Sequence, residues 1–218
     1  MKLLKIYDTL DNGQTYNGRF LPDKYDLPVY NGFFSFRLKH FNVVNRMIYA
    51  NTYIERLWEQ WHFLKNEPIG TSSEDITSHS KWQQVLITDR FTQADFISNI
   101  RKIVDECLSL FSVATNQYNS KGMPIESIGE YKGLDKITDF AANASFLSNL
   151  NFVSNAFKHS ILGDSMPRIG RDEPCIFIIH LREDKKTKQI TVDDRGFTLE
   201  YFVNEFNTFY KRFDKIIK

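Results

Sequence analysis

The sequence predicts a mainly α-helical fold: a bundle of about four long helices with a β-hairpin before the C-terminal helix. Three observations carry this. Apolar residues recur at three- and four-residue steps through most of the chain, the period of a helix that buries one face. A single stretch, Pro174 to Leu181, has the β-branched density of a strand, and a charged turn follows it. No repeat or low-complexity linker divides the 218 residues, which suffice for one sizeable core, so residues 1–218 are expected to form one domain.

Taken in order, residues 1–40 hold turn formers (Asp11-Asn12-Gly13, Asn17-Gly18, Asn31-Gly32) and closely spaced aromatics, Phe33, Phe34, Phe36 and Phe41 among them. They read as an irregular arm, with a short strand at Leu3 to Tyr7, packed on a helical bundle of residues 41–218. From Asn42 to Lys65 the positions Val44, Met47, Ile48, Ile54, Trp58 and Trp61 predict an amphipathic helix, ended by Pro68 and Gly70. Lys81 to Thr88 fits a short helix or a strand. Thr92 with Asp95 three residues on has the pattern of an N-cap, and Ile97, Ile100, Val104, Cys107, Leu108 and Phe111 make the stripe of a helix reaching about Tyr118. A third helix is expected from about Leu134 to Ile161, before Gly163 and Pro167. Gln189 to Val192 is the return strand of the hairpin. Thr198 then opens a last helix with Leu199, Phe202, Val203, Phe206, Phe209, Phe213 and Ile217 on one side. The expected core includes Trp58, Trp61, Ile100, Cys107, Phe111, Leu147, Leu150, Phe157, Phe202, Phe206 and Phe213.

Composition narrows the function classes. With 28 basic and 27 acidic residues the net charge is +1, so any nucleic-acid contact must be a local patch. Cys107 and Cys175 sit among apolar residues without metal-ligand spacing and read as buried free thiols of a reducing compartment. No apolar window reaches membrane-spanning length and the start lacks a signal-peptide pattern, so a cytoplasmic protein without a membrane partner is expected. No P-loop, nucleophile elbow or zinc motif is present, and no cofactor or metal is expected from motifs of that kind. His40, His62, His79 and His180 are scattered and read as packed or surface residues. Glu55, Glu59, Asp105 and Glu106 read as surface helix charges, and Arg182, Lys185, Lys186 and Lys188 as a solvated basic hairpin tip.

One stretch concentrates polar residues at helical spacing inside an apolar helix: Ser148-Asn149-Leu150-Asn151-Phe152-Val153-Ser154-Asn155-Ala156-Phe157-Lys158-His159-Ser160. At about 100° per residue, Ser148, Asn151, Asn155 and His159 fall within roughly 80° of one another, while Leu150, Val153 and Phe157 lie opposite. Asn155 and His159, four apart, can both reach one ligand. An ordinary hydrated helix face, with Lys158 and His159 favoured near the C-terminus, explains the same residues without a ligand.

Ser154-Asn155-Ala156-Phe157-Lys158-His159 resembles the motif of the HEPN helical-bundle family, many of whose members are ribonucleases of toxin and phage-defence systems. The resemblance covers Asn42 onward and implies RNA as partner, a homodimer pairing the polar helix faces, and His159 with Asn155 as catalytic residues. Ser148, Asn151, Ser154 and Lys158 would be ligand-binding. His159 would move a proton at the attacking 2′-hydroxyl or the leaving oxygen. Ser154 stands where that motif has Arg, which removes the partner for transition-state phosphate charge and points to binding over cleavage.

Asn151 to Ser160 also looks like the N box of the GHKL ATPases, and Ile190-Thr191-Val192-Asp193-Asp194-Arg195-Gly196 is similar to their strand and Asp-x-Gly turn. That resemblance implies Asn155 on Mg²⁺ and phosphates, Asp194 on adenine, and Gly196 as a further ligand position. Thr198 replaces its final glycine, and the chain is expected to lack the lid and the second glycine box. A non-enzymatic protein-interaction module is the third alternative. The helical pattern before the stretch ranks the HEPN-like reading first.

Overall fold

The computed structural model describes residues 34–66, 76–119, 121–130, 138–159, 170–183 and 187–217, with side chains described except at 34–37, 76–79, 138, 159, 180–183, 190 and 193. It is mainly helical, with an antiparallel hairpin before the last helix. Expectations for the strand at Leu3 to Tyr7, the stops at Pro68, Gly70, Gly163 and Pro167, and most of the basic hairpin tip lie outside the described residues.

Helix α1 is Phe34–Asn66 and α2 is Ile76–Ala114. Lys39 beside Ser109 and Glu106, Arg46 beside Asn99, and Gln60 beside Thr92 establish that the two run antiparallel. At 39 residues, α2 is about 58 Å long. Two expectations are corrected here. The helix of the arm region starts at Phe34, inside the segment expected to be irregular. Thr92 does not cap a helix, because α2 takes in Lys81 to Thr88 and runs on through Thr92 without a break. The Thr92 hydroxyl bonds back to the Thr88 carbonyl at 2.9 Å and accepts from Gln60 Nε2 at 3.2 Å, an interior use of a side chain that also suits caps.

Between Phe96 and Ser112 α2 is buried on more than one side, as a central helix must be. One side meets Val43, Val44, Met47, Ala50 and Ile54 of α1, within the same core as the later elements. After α2, Asn119 Oδ1 accepts from the backbone N–H groups of Lys121 and Met123, and Gly122 takes φ +71°, a turn few side chains tolerate. Among the described residues, two 3₁₀ segments, Ile128–Glu130 and Thr138–Asn143, precede α3, Ala144–His159. Phe140 is non-helical and fully buried, stacked edge-on against Phe111 and tilted on Phe209.

Strands β1, Cys175–Glu183, and β2, Ile190–Thr198, pair antiparallel with Phe177 opposite Gly196 and Ile178 opposite Arg195. Ile176 and Ile178 are buried toward the helices. The outer edge of β1 is closed by α2: Gln93 Oε1 accepts from Phe177 N–H at 3.4 Å, and Arg90 Nη1 donates to the Phe177 carbonyl. Helix α4, Leu199–Ile217, follows directly. Thr198, where the last helix was expected to start, caps it: its Oγ1 accepts from Tyr201 N–H at 3.1 Å. Phe202, Phe206, Phe209, Tyr210 and Phe213 of α4 are buried, as are Ile100, Cys107, Phe111, Leu147, Leu150 and Trp61; Trp58 and Phe157 are half-buried at the margin. His40 is fully buried, Cys107 is a buried free thiol, and Cys175 is free and only half-buried.

Candidate functional site

Helix α3 positions the polar residues by packing its other side. Phe146, Leu147, Leu150, Val153 and Ala156 are fully buried, which turns Ser148, Asn155 and Lys158 outward and leaves Asn151 half-buried at the border with α2. Ser154, expected among the ligand-binding residues, is buried with Leu150 and Val153. At about 100° per residue it falls on the packed side of the helix. His159 is the last residue of α3, and its side chain lies outside the described residues.

The border residue Asn151 does not stand alone. Arg101 of α2 donates from Nη1 to Asn151 Oδ1 at 2.5 Å and from Nε to both oxygens of Asp105 at 2.9 and 3.0 Å. Asn155 Nδ2 reaches the same Asn151 oxygen at 3.4 Å. Asp105 Oδ1 also accepts from the backbone N–H of Ile128 at 2.8 Å. Burial pushes the Asp105 carboxyl up, and the Ile128 N–H, the Arg101 guanidinium and the Lys158 charge pull it back down. Asp105 is therefore no solvated helix charge, contrary to its sequence reading. The cluster joins α2, α3 and the first 3₁₀ segment through one guanidinium.

Arg101 was missed because an Arg–Asp pair four residues apart reads as surface helix decoration. Nothing in the local spacing sets it apart, since Lys102, Asp105 and Glu106 share its stretch between Ile100 and Cys107. Spatially it brings a guanidinium to Asn151 at the border of the polar face.

The opposite border of the face carries another missed residue. Arg195 of β2 lies over the Phe152 ring with its Cζ 4.3 Å from the centroid. Asp194 and Gly196 flank it in the strand, so the segment expected to turn at Asp-x-Gly is a continuous part of β2. A Cβ on Gly196 would lie 2.7 Å from Phe177 Cε1, so the glycine makes room for the cross-strand ring. Asn155 lies on α3 and Asp194 on the hairpin, and no described contact joins them.

Among the described residues no group of His, Cys, Asp and Glu could hold a metal ion, and no helix is long and apolar enough to cross a membrane. No protein-family model matches the chain, and neither does any curated protein or solved structure.

Proposed function

We propose that the protein binds RNA through the exposed face of α3, as a HEPN-like bundle specialised for binding over cleavage. The observation that supports this most is Arg101, which reaches that face from α2 and touches Asn151 beside Asn155. Lys158 is an exposed cation of the face, and the Asn155 amide is an exposed donor for phosphate or sugar oxygens. Arg101 serves the face differently. Its charge is matched by Asp105 at 2.9 Å, so it orients Asn151 and offers little net positive charge to a transition state. Ordering of the RNA backbone is the expected role, with His159 the candidate for any residual proton transfer. In this reading two copies bring their α3 faces together, and the biological setting is defence or toxin biology.

Fluorescence anisotropy with a labelled single-stranded RNA at low salt tests the proposal, beside a denaturing gel for cleavage. The wild type should bind, with affinity falling as salt rises, and Lys158→Glu and Asn155→Ala should weaken binding without lowering the melting temperature. Failure to bind RNA in low salt would remove the reading. Cleavage abolished by His159→Ala would instead restore a catalytic role. A strict monomer in sedimentation would remove the paired faces.

A further inference from the structure

The α3 face ends in a planar cation laid on an aromatic ring. Phe152 follows Asn151 and sits about 60° around the helix from Asn155. It is half-buried, anchored against the core, and covered by the Arg195 guanidinium at 4.3 Å. Alternation along β2 places Arg195 on the same side of the hairpin as its partner Ile178, the side on which Ile176 and Ile178 are buried. A charge on the inward side of a strand has to be accounted for, and here it reaches the rim and remains exposed. Arg90 also lies over a ring of α3, Phe157, but it is half-buried.

We infer that Arg195, seated on Phe152, is a stacking platform for a nucleobase of single-stranded RNA whose backbone crosses Asn155 and Lys158. This rests on the RNA reading above and names its substrate class. The guanidinium plane stacks on bases as an aromatic ring does, and Phe152 beneath it fixes the plane. Stacking of this kind needs an unpaired base, so duplex RNA is a poor ligand. Arg195 acts on specificity, while Lys158 contributes charge.

The test compares a labelled single-stranded RNA with an abasic ribose-phosphate oligomer of equal length, using wild type, Arg195→Ala, Arg195→Lys and Phe152→Leu. Arg195→Ala should weaken the base-bearing RNA by about tenfold and the abasic oligomer much less. Arg195→Lys should restore the abasic oligomer and leave the base-bearing RNA weakened, because the charge returns without the plane. Phe152→Leu keeps an apolar anchor and should resemble Arg195→Lys; unchanged melting temperatures show that the variants are folded. Equal effects on the two ligands, full rescue by Lys, or unchanged RNA binding by Arg195→Ala would each overturn the platform while RNA binding stood. Displacement by AMP at lower concentration than by RNA would overturn single-stranded RNA as the ligand. A wild type that binds neither oligomer would fail the RNA reading itself, and the platform with it.

Discussion

The guanidinium of Arg101 and the amide of Asn151 meet at 2.5 Å, and this bond ties the central helix α2 to the polar face of α3. Arg101 is also held by Asp105, so one buried cation serves a charge on its own helix and an amide on the next. The pairing does two things. It fixes the rotation of α3 about its axis, and it orients Asn151 so that its oxygen faces both Arg101 and Asn155.

Removing Arg101 should therefore be costly. Arg101→Ala leaves the half-buried Asp105 carboxylate with the Ile128 N–H as its remaining close partner, at an expected cost of about 2–4 kcal/mol. Asp105→Asn should cost less, since it also relieves the burial of a charge. Urea denaturation of the two single variants and the double gives the coupling. A loss within about 0.5 kcal/mol for Arg101→Ala would mean that the pair is decorative.

Asp89 gives a pH dependence with a defined sign. Burial raises its carboxyl to about 6, against the hydrogen bond from Gln93 and the charge of Arg90. The folded protein thus holds this proton more tightly than the unfolded chain does. The contribution is most favourable below the ordinary carboxylate range and is lost as pH rises through about 6. Asp89→Asn keeps an acceptor for Gln93 Nε2 while removing the buried charge. It should raise stability at pH 7.5 by roughly 1–3 kcal/mol and change little at pH 4. Melting curves across that range check it, and equal shifts at both ends would contradict the assignment.

Gly196 separates a packing role from a nucleotide-binding one. Gly196→Ala places a methyl against the Phe177 ring and should cost about 1–3 kcal/mol, with much of the loss recovered in a Phe177→Leu background. On a nucleotide-binding reading, millimolar Mg·ATP should raise the melting temperature, and Asn155→Ala and Asp194→Ala should each abolish the shift. The strand geometry leads to the opposite expectation: no shift with Mg·ATP, and rescue by Phe177→Leu.

Two threonines that look alike in sequence should behave differently. Thr198→Ala removes the oxygen that accepts from Tyr201 N–H and should cost about 1 kcal/mol, restored by Ser. Thr92 lies inside α2, and its loss should instead be coupled to Gln60, whose Nε2 it accepts. A double-mutant cycle with Gln60→Ala should show non-additivity, whereas additive losses would place Thr92 outside that contact.

What the sequence by itself determined was every feature that depends on neighbours along the chain. The stripe of α4, the start of that helix at Thr198, the hairpin before it and the polar arc of Ser148, Asn151 and Asn155 all follow from spacing along the chain. The misreading at Thr92 had the same origin, since a local cap pattern is satisfied equally by a helix that continues underneath it. Tertiary structure alone decided which element met which. Arg101 and Asn151 are 50 positions apart, and Gly196 and Phe177 touch only because the hairpin register sets them opposite. Periodicity states how far a side chain is rotated around its own axis. The partner of a buried polar group depends on which second element packs there, and no local pattern contains that information.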